Sequence, residues 1–281
     1  MFLNGLIRNL PDFKGKRRLV RLLTKAEIET SSDVVVSGRY GCKYLLPNIK
    51  ESISFEIFCN GIYESDTNSF LYKLIPKNGV FLDLGANIGS VTIPLLKRRP
   101  DLKCICVEAA PWIFDYLRKN RDINFNNESI VLINKALLDK DGMTLPFYSP
   151  REKFGKGSLS PVFTDKGIPV QSVTIDTLVK EQDLHTVDTI KIDIEGFEYF
   201  AFRGAEKLIG GPNAPDILFE FVDWAEEQAN LQKGQAQRFL LEKGYNLYIE
   251  EKGRLKRSEQ VIVDGTIMLF ASKKPGNFVD Q

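Results

Sequence analysis

The chain has 281 residues, and its 38 Lys and Arg stand against 37 Asp and Glu, a formal net charge of +1. So balanced a chain is not built as a dedicated duplex-binding protein, whose affinity leans on a dense cationic face and counterion release. With 43% hydrophobic and 27% charged residues, its composition excludes disordered, collagen-like and coiled-coil chains and supports a self-sufficient core.

From Leu3 to about Glu29 the pattern is helical and basic, with Lys14, Lys16, Arg17, Arg18, Arg21 and Lys25 set between leucines. Weak contact with an anionic membrane surface or glycolipid headgroup is one reading. The commoner outcome for such a pattern is a solvated helix docked on its own domain through the leucines. The charges from Arg8 to Arg18 interrupt every apolar run before signal-peptide or transmembrane length, so a soluble, cytoplasmic protein is expected. Residues 33–75 read as short strands, Asp33 to Val36, Lys43 to Leu46 and Ser54 to Phe58, then a helix from Asp66 to Leu74. Together residues 1–75 form an N-terminal addition to a larger domain over 76–281.

From Gly79 the texture becomes apolar strands alternating with amphipathic helices, the pattern of a parallel sheet covered on both faces. The strands are Val80 to Leu84, Leu102 to Val107, Ile130 to Asn134, Thr189 to Ile194 and Asp216 to Phe221. Helices follow at Ser90 to Arg99 and from Pro111, a residue suited to the first helical turn. Glycine and proline breaks over about 145–172 mark an inserted loop or hairpin, and such insertions usually cover something. Tyr245 to Ile249 and Thr266 to Phe270, around a charged turn, read as a closing β-hairpin. Cys42, Cys59, Cys104 and Cys106 are too few and too scattered for a disulfide framework or zinc site, and suggest a reducing compartment. His185, the single histidine, excludes a two-histidine metal site and reads as a surface residue.

The most informative stretch is Asp83-Leu-Gly-Ala-Asn-Ile-Gly-Ser90, where a strand gives way to a helix. Gly85 and Gly89 allow a sharp turn and close approach of a ligand, and the helix start offers free N–H groups to an anion. Asn87 stands where a dinucleotide fingerprint has its second glycine, and no Gly-Lys-Ser/Thr follows, so neither that fingerprint nor a P-loop is present. Glu108 ends the next strand, roughly 20 positions on, where a doubly wound fold places a carboxylate that accepts ribose hydroxyls. Lys156-Gly157-Ser158 lacks a flanking strand and helix and reads as a loop coincidence. Trp112, opening a helix, is expected to pack rather than stack on a base.

In the fourth strand Ile190, Ile192 and Ile194 share one face, so Lys191, Asp193 and Glu195 share the other. Ligands of open parallel sheets bind beyond the carboxyl ends of the strands, which sets Asp193 and Glu195 beside the glycine turn. Two close carboxylates repel, so one tends to hold a raised pKa and can take a proton from a hydroxyl.

Asp83 with Gly85-x-Asn87-x-Gly89 and Glu108 resembles the S-adenosylmethionine site of class I methyltransferases. Gly61-Ile-Tyr-Glu64, Val107-Glu-Ala-Ala-Pro111 and above all Lys191-Ile-Asp-Ile-Glu-Gly-Phe-Glu198 with Arg203-Gly-Ala205 resemble the FkbM family, over roughly residues 60–245. One departure is that Ala109 and Ala110 precede Pro111, where the family usually has proline directly after the acid. The resemblance implies a Rossmann-like class I fold, with a mostly parallel seven-stranded sheet and helices on both faces. It also implies O-methyl transfer, often to a sugar or polyketide hydroxyl.

On this reading Asp83, Gly85, Asn87, Gly89 and Ser90 hold the methionine end of S-adenosylmethionine, Glu108 the ribose and Ala136 the adenine edge, with Asp193 facing the transferable methyl. Asp193 or Glu195 is the base. Glu198, Glu220 and, from the insertion, Ser158 meet a saccharide or glycosylated acceptor. The acidic cluster also offers oxygen ligands to Mg²⁺ or Ca²⁺, but no EF-hand-like spacing is present, and a metal is not favoured. Two rivals share these features: a nicotinamide-dependent oxidoreductase, and a non-catalytic glycan-binding module that retains the fold.

Overall fold

The computed structural model describes residues 13–126, 130–251 and 254–274. Two short helices, α1 (Lys16–Leu23) and α2 (Lys25–Thr30), lead into an antiparallel pair, β1 (Val34–Ser37) and β2 (Lys43–Leu46). The first part of the expected helix, residues 3–12, lies outside the described residues, and within α1 the expected docking through leucines is not found. The helix buries Lys16 and Val20 while Leu19, Leu22 and Leu23 are 40%, 69% and 63% exposed.

The expected strand at Ser54 to Phe58 is instead a helix, α3 (Ser52–Asn60). Glu51 caps it, accepting from the N–H groups of Ile53 (2.7 Å) and Ser54 (3.3 Å). Ile53, Phe55, Ile57 and Phe58 are all buried, while Ser52, Glu56 and Asn60, four residues apart, form the one outward stripe; the alternation Ile53-Ser-Phe55-Glu-Ile57 mimics the two-residue period of a strand. α4 (Ser65–Leu74) then leads to the main sheet.

That sheet begins with β3 (Val80–Leu84), β4 (Lys103–Val107) and β5 (Ile130–Ile133), connected by α5 (Thr92–Arg98) and α6 (Pro111–Asn124). A separate three-stranded sheet follows, β6 (Ala136–Leu137), β7 (Thr144–Tyr148) and β8 (Gly167–Val173), with β7 and β8 as the antiparallel hairpin of the insertion. The chain continues through α7 (Ile175–Glu181), β9 (Thr189–Ile192), α8 (Glu198–Arg203), α9 (Glu206–Gly210), β10 (Asp216–Val222), α10 (Asp223–Gln228) and α11 (Gln235–Glu242). It ends with β11 (Asn246–Glu251), β12 (Arg254–Arg257) and β13 (Thr266–Ser272).

The strand order is β12-β11-β13-β10-β9-β3-β4-β5, with β10, β9, β3, β4 and β5 mutually parallel and β13, β11 and β12 antiparallel. Seven of these strands make the expected sheet. The eighth, β12, comes from the charged turn of the closing hairpin, and β13 inserts between β10 and β11. Alternate residues feed two cores. Leu82, Ile105, Ile190 and Phe219 pack with Phe202, Ile209 and Leu240 from the helices of one face. Phe81, Cys104, Cys106 and Leu218 pack with Leu71, Leu95 and Leu117 from the other. Side chains alternate across a strand, so strands buried on both faces read as unbroken apolar runs.

Fully buried Asn120 on α6 ties the N-terminal addition to this frame: its Oδ1 accepts the Leu45 N–H at 2.6 Å, and its Nδ2 donates to the carbonyls of Leu45 (3.2 Å) and Ile88 (3.0 Å). His185 is exposed and all four cysteines are buried thiols. Among the described residues no helix is long and apolar enough to cross a membrane.

Candidate active site

Sheet register decides where the polar side chains gather. Val107 pairs with Ile133, Leu84 with both Val107 and Ile192, and Ile192 with Phe219. The next residue in each of the five strand directions is therefore Asn134, Glu108, Gly85, Asp193 or Glu220, in one row where the other four strands have ended and β10 continues past Glu220. Above this row opens a cleft with about 1090 Å³ of free space, solvent at its mouth included. Of the residues expected here, Asp83, Gly85, Asn87, Ser90, Glu108, Ala136, Asp193, Glu195 and Glu220 line it.

The strand-to-helix turn is held from the next strand. The N–H groups of Gly85 and Ala86 both donate to the Val107 carbonyl at 2.9 Å, and Asn87 takes a left-handed φ of 51°. A Cβ on Gly85 would lie 2.0 Å from the Asp193 carbonyl oxygen, and one on Gly89 2.8 Å from Ile93. Both glycines are thus required by contacts within the protein; Gly85 also lines the cleft, and Gly89 does not. Fully buried Asp83 accepts the Thr92 hydroxyl at Oδ2, while its Oδ1 has no partner. Burial raises its pKa and the neighbouring Lys191 opposes that rise. Glu108 accepts the N–H groups of Asn87 (3.0 Å) and Ala110 (2.8 Å), one on each oxygen. Burial nevertheless lifts its pKa to about 7 against those two bonds.

The opposite wall is acidic. One oxygen each from Asp193, Glu195 and Glu220 lie within 4.8 Å of one another. The strand ends at Ile192, so Asp193 and Glu195 stand on the following turn, where Glu195 has a left-handed φ of 52°. Glu195 is 7% exposed; Oε1 accepts Lys156 Nζ at 2.8 Å, and Oε2 is buried with no partner. Burial first and Asp193 second push its pKa to about 7, with Lys156 pulling the other way. Burial and the same two acids push Glu220 well above the usual carboxylate range. Buried Lys191 places Nζ 3.3 Å from Asp193 Oδ2. Burial would lower its pKa, but Asp193 and Asp83 outweigh that and keep it charged.

Two expected acceptor contacts are corrected. Glu198 is buried and turned back on its own loop, its oxygens accepting the N–H groups of Ile194 (2.9 Å) and Gly196 (3.1 Å). Both oxygens are occupied in shaping the turn, and the residue does not line the cleft. Ser158 is also buried, its hydroxyl donating to the Glu195 carbonyl at 3.2 Å, so it fastens the insertion rather than meeting a ligand. Trp112 packs as expected, edge-on to Tyr116 and Phe154, with Nε1 donating to Ser149 at 3.1 Å.

Sequence reasoning missed the two lysines. Lys156 belongs to a tripeptide dismissed as coincidence, and Lys191 received no role although it shares the face of Asp193 and Glu195. Tyr63, from the addition, also lines the cleft, its pKa raised by burial and by Glu64. The stretch Gly61-Ile-Tyr-Glu64 was the available signal for it. The insertion contributes Phe147, Phe154 and Lys156 as a cover.

A mostly parallel sheet with a glycine turn after β3 and carboxylates at the neighbouring strand ends has the Rossmann-like architecture of class I methyltransferases. The sequence matches the family described as Methyltransferase FkbM domain over residues 83–247, more than half of the chain. The chain therefore belongs to the FkbM methyltransferase family. It is 24% identical over 179 residues to methyltransferase sdnD of Sordaria araneosa, covering 52% of this chain and 68% of that protein. Among solved structures it is similar to precorrin-6y C5,15-methyltransferase from Geobacter metallireducens GS-15, with TM-score 0.42, 14% identity, and coverage of 76% of this chain and 90% of that one. It is also similar to M. capricolum TrmK in complex with S-adenosylhomocysteine, with TM-score 0.41, 11% identity, and coverage of 75% and 68%.

Proposed function

We propose that this S-adenosylmethionine-dependent methyltransferase is an O-methyltransferase acting on a hydroxyl of a saccharide or glycosylated acceptor. The observation that carries the reading is Glu195: a buried carboxylate with one oxygen tied to Lys156 and the other unpartnered, beside Asp193 and Glu220 and across the cleft from the glycine turn.

The residues fit the cofactor. The unpartnered Oδ1 of Asp83 suits an ammonium group, Gly85, Asn87 and Ser90 frame the methionine end, the remaining lone pairs of Glu108 suit ribose hydroxyls, and Ala136 lies at the adenine edge. When bound, S-adenosylmethionine supplies an electrophilic methyl on a sulfonium. The chain must then orient one acceptor oxygen, exclude water and remove one proton. Glu220 and Asp193 accept hydrogen bonds from hydroxyls, a chemistry suited to sugars, which present several at once. Glu195 Oε2 receives the acceptor's proton, and its pKa near 7 matches a base working at neutral pH. Lys156 and Lys191 offset part of the wall's charge and hold the Glu195 pKa below where burial and Asp193 alone would set it. Positioning supplies most of the acceleration, with the base adding about 10²- to 10⁴-fold.

Calorimetry tests the cofactor half: S-adenosylhomocysteine should release heat on binding and NAD should not, the reverse result favouring a nicotinamide enzyme. Radiolabelled methyl transfer to a panel of glycans, with amine- and carbon-acceptor controls, tests the other half. Label appearing on nitrogen or carbon alone would overturn O-methylation. Cofactor binding without transfer to any acceptor would favour a binding module.

A further inference from the structure

The outward leucines of α1 need an explanation that the methyl-transfer site does not give. The helix meets the protein through Lys16 and Val20, with Thr24 buried just beyond, all on one stripe four residues apart. At about 100° per residue, Leu19, Leu22 and Leu23 fall on one side of that stripe and Arg17, Arg18 and Arg21 on the other. Lys14 and Lys25 are exposed as well. Arg17 reaches Glu56 at 3.8 Å and Arg21 lies 4.5 Å from the Phe55 ring centre, so their stems rest on the protein with the charged heads at the surface. A shallow basin beside them is lined by Arg18, Arg21, Leu22, Lys25 and Lys50, with Glu29 as its one acid, 4.0 Å from Lys25. In a chain of net charge +1 this concentration is local, not a share of a general positive field.

We propose that this face docks on an anionic lipid bilayer, with Leu19, Leu22 and Leu23 entering the boundary between headgroups and acyl chains and the basic side chains meeting lipid phosphates. Exposed leucines beside cations are the pattern of a helix lying in a membrane interface. A nucleic acid would use the cations and leave the leucines in water. A second copy related by a two-fold axis would set the same basic patch against itself. Val20 shares an apolar cluster with Ile53 and Phe154, which line the cleft, so docking would bring the acceptor side near the bilayer. A lipid-linked saccharide is then the acceptor, a conclusion that rests on the reading above, whereas the docking surface does not.

The test is flotation of the full chain with vesicles of phosphatidylcholine alone and with phosphatidylglycerol added. The protein should float only with the anionic vesicles and be released by salt. Each basic side chain removed should lower partitioning by about fivefold, the equivalent of about 1 kcal/mol, so a Lys14→Gln/Arg18→Gln variant should lose about 25-fold. Leu22→Ser/Leu23→Ser should weaken binding while keeping its salt dependence. Equal partitioning to both vesicles, or anionic binding that the charge variant leaves within about twofold, overturns the proposal. So does capture of single-stranded RNA in place of vesicles, or a leucine-dependent dimer that ignores them. S-adenosylhomocysteine affinity of the charge variant is expected to be unchanged, and reports on the cofactor site separately.

Discussion

Replacing Glu195 with glutamine is the sharpest perturbation of the acidic wall. Glutamine keeps the shape and can still accept from Lys156, but it removes the ionisable oxygen. With the base lost, kcat should fall by about 10²- to 10⁴-fold, about 3–5 kcal/mol of barrier. S-adenosylhomocysteine affinity should stay within a few-fold, because the residue stands on the acceptor side. The pH profile sharpens the test. Burial and Asp193 hold Glu195 near 7, above its ordinary 4.5, and a base works only when ionised. Wild-type kcat/KM should therefore be lost as pH falls through about 7, changing roughly tenfold between one unit below and one unit above. The acids interact, so that value belongs to the group as a whole. The glutamine variant should lack this limb. Initial rates across pH, with the cofactor saturating, measure both effects. Turnover within tenfold of wild type, or an unchanged acidic limb, would refute the reasoning.

Three further outcomes follow from the same geometry. Lys156→Met removes the charge that holds the Glu195 pKa down, so the acidic limb should move to higher pH while the alkaline plateau largely survives; a limb that stays put removes Lys156 from the account. Gly85→Ala sets a Cβ 2.0 Å from the Asp193 carbonyl at a φ of +83°, and should cost about 1–3 kcal/mol in a denaturant titration through overpacking alone. A loss below about 0.5 kcal/mol would contradict that contact. Because two ammonium groups already pair with two of the three clustered carboxylates, turnover should survive a chelator. A loss restored by Mg²⁺ or Ca²⁺ would show that the cluster holds a cation.

The parallel core was legible because burial on both faces leaves a signature in sequence: Val80 to Leu84, Lys103 to Val107 and Asp216 to Val222 are apolar runs that end in polar turns. The row at the strand ends was legible for the same reason, since the residue that ends an apolar run lies at the sheet's edge. α3 was not, because Ile53, Phe55 and Ile57 alternate with Ser54 and Glu56 as in a strand, and the stripe of Ser52, Glu56 and Asn60 is only one residue wide. Glu198 misled because the three acidic residues of one motif were read as sharing one destination. Its place at the first turn of α8 makes it a loop cap, and a carboxylate placed to accept nearby N–H groups is itself a sequence signal. Lys156 had no signature at all. It reaches Glu195 across 39 positions of chain, and only the hairpin of the insertion brings the two together.

The strand β12 carries a consequence for how copies of this protein share a crowded solution. A mostly parallel sheet must stop somewhere, and the last strand leaves a row of amides and carbonyls on which another polypeptide can pair. Here that border is Arg254-Leu-Lys-Arg257, with Arg254, Lys256 and Arg257 exposed. Cations along an open border repel the same border of a neighbour and discourage fibre-like stacking. The short basic ribbon thus opposes pairing between like borders and takes no part in lining the cleft.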